Sequence, residues 1–126
     1  MVKYYFDTYA LLELVFGSSS YMPYYGKEFE VVTCDLNVAE AYFVLLRNGN
    51  IDIAEKLQDM MMEDALIPSK TALIEACRQK FSLRKLTKKD VSFVDALGYH
   101  LAKSMGLKFL TGDDAFRGLK NVKFVK

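Results

Sequence analysis

Apolar runs of strand length take turns along this chain with stretches whose apolar residues recur at helical spacing. Val2 to Phe6 is β-prone and rich in Tyr and Phe; Asp7 and Thr8 close it, and YALLELVF follows with helical propensity. Gly17 and Ser18 to Ser20 interrupt the pattern, and YMPYYG then reads as a short helix or an ordered loop. Phe29 to Cys34 is a second strand. Asn37 is placed to cap a helix from Val38 to about Arg47, closed by the turn Asn48-Gly49-Asn50. Ile51 to Glu63 is helical, with an apolar face through Ile53, Ala54, Leu57 and Met61. A brief strand, Ala65 to Ile67, precedes Pro68, and Ser69 caps a helix to about Lys80. Thr87 with Asp90 has capping-box spacing and opens a long helix through SFVDALGYHLAKSM. That helix turns at Gly106 and returns as the strand Lys108 to Thr111; a helical turn after Asp113 and a strand Val122 to Val125 finish the chain.

Strands alternating with helices predict an α/β fold, three layers deep, with a mostly parallel central sheet covered by helices on both faces. The 126 residues, 52% hydrophobic, suit one domain spanning 1–126 with a core of its own. A formal net charge of +1 excludes an overall field toward nucleic acid or membrane, so an anionic partner must be met by local clustering. No apolar run approaches the roughly 20 residues that span a bilayer, and Asp7 and Glu13 interrupt an N-terminus that lacks the marks of a signal peptide. Cys34 and Cys77 stand alone, without metal-ligand spacing, as reduced thiols of a cytoplasmic protein.

The chemistry follows from where the pattern sends its acids. In open parallel sheets ligands gather at the carboxyl ends of strands. Asp7 follows the first strand and Asp113 the strand Lys108 to Thr111, while Glu40 falls in the first turn of the helix after the second strand. Asp95 heads the long helix; roughly 15 Å down that helix and a similar climb along the returning strand bring it to the same end. No Lys or Arg lies within three positions of any of the four, and their neighbours are mostly apolar (Phe6, Ala39, Ala41, Val94, Ala96, Leu110, Ala115). Converging carboxylates without cations repel one another and suffer desolvation, and a divalent cation relieves both. Hard oxygen donors with no His or Cys beside them point to Mg²⁺ or Mn²⁺ rather than Zn²⁺. The competing reading is plain capping, since Asp7, Asp95 and Asp113 all lie near helix starts and Asn37 with Glu40 has capping-box spacing. Capping explains each acid singly but not all four on one rim.

YYFDTYALLEL, NVAEAYFVLLR, SFVDALGYHLA and FLTGDDAF, in that order, resemble the PIN domain, the metal-dependent nuclease fold of VapC-type toxins in bacteria and archaea. The resemblance covers nearly the whole chain. It implies that Asp7, Glu40, Asp95 and Asp113 are catalytic metal ligands, that Thr8 and Thr111 support them, and that Asp114 is a second acid at a variable position. It further implies hydrolysis of RNA phosphodiester bonds, homodimers, and a cognate antitoxin covering the acidic cleft.

An RNA substrate needs positive charge, and Arg78, Lys80, Arg84, Lys85, Lys88 and Lys89 form a run with no acid until Asp90. Arg117, Lys120 and Lys123 form a second group. Tyr21, Tyr24 and Tyr25 offer either stacking surfaces for bases or packing surfaces. His100 lies five residues beyond Asp95, about 140° around the helix, and is no partner to it. Met60, Met61 and Met62 cannot all face one core, so at least one meets solvent or a protein partner. Three rival readings remain: an aspartyl phosphotransferase, for which Asp7-Thr8-Tyr9 lacks the DxDxT pattern; a PIN-fold RNA-processing nuclease without an antitoxin; and a non-catalytic RNA-binding or scaffold module.

Overall fold

The computed structural model describes residues 1–126. Four strands form one sheet in the order β2-β1-β3-β4, where β1 is Val2–Phe6, β2 Phe29–Val32, β3 Lys108–Thr111 and β4 Val122–Phe124. Every pairing is parallel, with Tyr5 opposite Val32 on one side and Phe109 on the other. Five helices cover it: α1 (Thr8–Val15), α2 (Asp35–Arg47), α3 (Ile51–Met61), α4 (Lys70–Thr87) and α5 (Phe93–Ser104).

The alternation of side chains along a strand divides the core in two. Tyr5 and Phe109 point to one face, where they pack with Ala72, Ala76 and Leu83 of α4 and Ala96, Leu97 and Ala102 of α5. Phe6 and Leu110, one residue on, point to the other face and meet Leu11 and Leu14 of α1, Val38 and Leu45 of α2, and Leu57 and Met61 of α3. The layers are therefore α/β/α. The close approach of α5 depends on Gly98, where an added Cβ would lie 2.9 Å from the Tyr5 ring and 3.2 Å from that of Phe109.

Several boundaries differ from the sequence-based expectation. α2 begins at Asp35, three residues early, and its cap is the Cys34 sulfur, which accepts from the Leu36 amide at 3.4 Å. Asn37 does not cap: it lies fully buried within the first turn, bonded to the two residues flanking Phe6 and Asp7. Glu40 thereby moves to the second turn, and no capping box with Asn37 exists. α4 runs on to Thr87 because nothing in the basic run breaks a helix, and it stops where Lys88 takes a left-handed conformation. Thr87 accordingly belongs to the end of α4, its hydroxyl donating to the Leu83 carbonyl at 2.8 Å. The capping box that opens α5 is Ser92 with Asp95. Ala65 to Ile67 contributes a single parallel bridge, Leu66 to Cys34, beside β2. Met22–Tyr24 is one turn of 3-10 helix, as is Asp114–Phe116.

Candidate active site

The chain leaves β1 toward β2 on one side and later returns through β3 on the other, so the crevice between the ends of β1 and β3 is the point where strand order reverses, the place where open parallel sheets hold ligands. A cleft of about 500 Å³ opens there, and its wall includes Asp7, Glu40, Asp95, Asp113 and Asp114. The four predicted acids are thus brought together on one hollow, with Thr8 in its wall and Thr111 beneath it.

Three of them are caps as well, and the two roles use different oxygens. Asp7 caps α1 by accepting the Ala10 amide on Oδ1 at 2.8 Å, while Oδ2 accepts the Thr111 hydroxyl. Asp113 caps the following 3-10 turn by accepting the Ala115 amide on Oδ1 at 3.0 Å. Asp95 completes the capping box of α5 by accepting the Ser92 amide on Oδ2 at 3.3 Å. In Asp95 and Asp113 one oxygen holds a helix start and the other takes no hydrogen bond from the chain, whereas in Asp7 both oxygens accept one. Thr111 links two of the acids, since its oxygen also accepts the Asp113 amide at 3.0 Å.

The electrostatics are those of uncompensated burial. Asp7 is 1% exposed and belongs to no ion pair. Its pKa is pushed up to about 8 by burial above all, against the hydrogen bonds from Thr111 and Ala10, with the negative fields of Asp95 and Asp113 adding to the rise. Burial likewise raises Asp95 to about 6, assisted by Glu40 and Asp113. Asp114 is different: it is exposed, and hydrogen bonds from Lys126 and Arg117 hold its pKa below the usual range. Lys126 is the one cation in the cleft wall, 2.9 Å from Asp114, an approach that sequence separation concealed. As they stand, no three acids converge tightly enough to hold an ion by direct ligation alone.

Behind the cleft, Asn37 connects β1 to α1. The Tyr5 hydroxyl donates to Asn37 Oδ1 at 2.5 Å, and Asn37 Nδ2 donates to the Thr8 hydroxyl oxygen at 3.1 Å. Sequence reading took this residue for a cap; its only signal was an amide three positions before Glu40 in an otherwise apolar segment. Gly112 is constrained in a way that its neighbours in sequence do not signal. It lies between Thr111 and Asp113, and an added Cβ there would lie 2.2 Å from the Tyr9 ring and 2.6 Å from the Val125 carbonyl, so no larger residue fits.

The basic run lies on α4 and the loop after it, mostly engaged. Arg78 pairs with Glu75, Lys80 and Arg84 reach Asp90, and Lys85 lies over the Phe81 ring. Lys88 ends the helix, and Lys89 donates to the Asp114 carbonyl at 3.2 Å. Tyr21 is buried with its hydroxyl on the Val125 carbonyl, and Tyr24 packs edge-on to Tyr4, while Tyr25 is exposed. Met61 is buried between half-buried Met60 and Met62. Cys34 is buried and Cys77 exposed, both free, and no helix is long and apolar enough to cross a membrane.

Solved structures with the same architecture include VapC20 of Mycobacterium tuberculosis, a sarcin-ricin-loop-cleaving toxin, at a TM-score of 0.71 and 14% identity over 97% of this chain and 98% of that one. A toxin–antitoxin complex from Klebsiella pneumoniae matches at 0.65 and 16% identity over 95% of each chain. VapBC-5 of M. tuberculosis, from the VapBC family of toxin–antitoxin systems, matches at 0.65 and 19% over 100% of this chain and 99% of that one. At such identities the likeness is one of fold. No curated protein sequence matches the chain. The sequence model of the PIN domain, however, matches residues 4–122, a span that runs from β1 to the start of β4 and contains all five acids of the cleft wall. The chain belongs to the PIN-domain family.

Proposed function

We propose that this protein is an endoribonuclease that hydrolyses RNA phosphodiester bonds at the carboxylate cleft with the help of Mg²⁺ or Mn²⁺, and that it is the toxin of a toxin–antitoxin pair. The observation that carries this reading is Asp7, a buried carboxylate with no cationic partner, facing a hollow lined by Glu40, Asp95 and Asp113. The donor set fits a hard divalent cation: all oxygen, all anionic, and costly to leave uncompensated. Mg²⁺ is commonly held by one or two carboxylates with several waters, so a cleft wider than a tight three-acid cage suits it. Asp7, Asp95 and Asp113, with Glu40 across the cleft, would hold the ion, and the chemistry it supplies when bound is Lewis acidity toward water and phosphoryl oxygen.

The chain's own groups do the rest. Thr111 and the Ala10 amide fix the Asp7 carboxylate, the Ala115 amide fixes that of Asp113, and Ser92 fixes that of Asp95. Thr8, its oxygen held by Asn37, has a hydroxyl proton free to meet a phosphate oxygen in the cleft. Asp114 is engaged by Arg117 and Lys126, whereas Asp113 belongs to no ion pair, which supports Asp113 as the ligand of the two. The toxin assignment draws on the neighbours described as toxins or toxin–antitoxin members. An antitoxin and a second copy of the chain would find exposed apolar side chains at Phe43 and Leu46 of α2 and at Ile74 and Phe81 of α4. A cytoplasmic setting accords with the two free thiols.

The test is cleavage of RNA by the purified chain with Mg²⁺ or Mn²⁺ and with EDTA. Metal-dependent cleavage that Asp7→Asn abolishes, with the circular dichroism spectrum unchanged, supports the reading. A wild-type protein that binds RNA but never cuts it with either metal would leave only a binding module.

A further inference from the structure

A groove of about 710 Å³, larger than the carboxylate cleft, lies beside it, between the end of α4, α5 and the turn after β3. Lys89, Lys103, Arg117 and Lys120 stand in its wall, with Asp114 the one acid among them. Asp114 is already engaged by Arg117 at 3.3 Å and by Lys126 at 2.9 Å, so the wall carries an excess of positive charge. Lys103, whose ammonium lies 5.3 Å from the centre of the Tyr99 ring, and Lys120 are exposed and belong to no ion pair. Asp114 lines both hollows, so the groove meets the cleft at that residue.

We propose that this groove binds the phosphate backbone of single-stranded RNA and leads it to the carboxylates; the identity of the occupant rests on the nuclease reading above. A polyanion entering a cleft of four acids is repelled, and cations adjoining the cleft oppose that repulsion within about one Debye length (~8 Å at physiological salt). Leu86, 71% exposed on the groove's edge, offers apolar surface to the riboses and bases of an unpaired strand. The basic run on α4 is a poorer grip, because Arg78 is paired with Glu75 and Lys80 and Arg84 share Asp90, so part of its charge is already compensated by the chain. Of that run, Lys89 alone reaches the groove. An acidic segment of a partner protein would meet the same cations, but nothing in its chemistry requires the adjoining cleft, whereas an RNA strand requires both.

The experiment is a titration of the full chain with fluorescein-labelled oligouridine in EDTA, where binding is read without cleavage, over a range of salt. Replacing Lys103 and Lys120 together by Ala should weaken binding at least several-fold at low salt. It should also flatten the slope of log affinity against log salt by about 1.4, two phosphate contacts at ~0.7 each. Arg78→Ala with Lys85→Ala, which removes the same number of charges from α4, should lose far less on both measures than the groove variant. The proposal is overturned if the groove variant binds like wild type, if the α4 variant takes the loss instead, or if polyglutamate displaces oligouridine at equal charge, which would mark the groove as a protein site. None of these outcomes depends on catalysis: cleavage by wild type with Mg²⁺ alongside an unaffected groove variant sinks the groove and keeps the nuclease, and the converse keeps the groove alone.

Discussion

Asp7 concentrates the conflict on which this protein is built. Its carboxylate is buried because Phe6 before it and Thr8 after it enter the core, yet no cation of the chain reaches it. Folding therefore favours its neutral form, with a pKa near 8 against about 4 in the unfolded chain. A group shifted in this direction contributes its full stability below pH ~4 and loses it as pH rises through ~8. In EDTA the midpoint of thermal unfolding should accordingly fall across that window, and Asp7→Asn should remove much of the fall. An Asn there can still accept the Ala10 amide and donate to the Thr111 oxygen, so the variant should be more stable than wild type at pH 8 without metal. A wild-type midpoint that rises over the same range would contradict the assignment. Asn37 is the opposite case, a polar group whose partners are complete. Asn37→Ala strips a partner from both Tyr5 and Thr8 and should cost roughly 2–4 kcal/mol by urea denaturation.

Among the elements, α5 does two jobs, setting Asp95 on the rim and closing one face of the sheet. Gly98, one turn below Asp95, permits both. Gly98→Ala gains about 1 kcal/mol of helix propensity, but the new methyl meets ring edges of Tyr5 and Phe109, and overpacking of this kind costs about 1–3 kcal/mol. The Tyr5 ring cannot yield easily, since its hydroxyl is tied to Asn37. The overpacking wins, and a net loss of about 1 kcal/mol is expected as a lower urea midpoint with unchanged slope. The start of α5 was legible in kind but not in place: both Thr87 with Asp90 and Ser92 with Asp95 have capping-box spacing, and local sequence does not rank them. The ranking comes from Leu83 and Val91, both buried, which require α4 to continue to Thr87 and the chain to reverse before Phe93.

For the molecule entire, the proposed metal site would link ion binding to folding. An ion that binds only the folded chain stabilises it by mass action, by about 2.7 kcal/mol at a concentration near 100 times its Kd. Mg²⁺ or Mn²⁺ should therefore raise the unfolding temperature of wild type in a concentration-dependent way, and Asp7→Asn should abolish the rise; an equal rise in the variant would place the ion elsewhere. The groove adds a second charge of opposite sign beside the first, and Asp114, held by Arg117 and Lys126, marks the boundary between them.

The strand and helix sequence, the three layers and the common rim of Asp7, Glu40, Asp95 and Asp113 were all readable from the chain, because they rest on periodicity and on the fixed rise of helices and strands, which are local quantities. Where Asn37 points, why Gly112 must be Gly, and that Lys126 meets Asp114 across the cleft were decided by the fold alone. Each of those facts is a contact between segments remote in sequence, and the energy of such a contact is set by the packing that surrounds it rather than by the residues on either side.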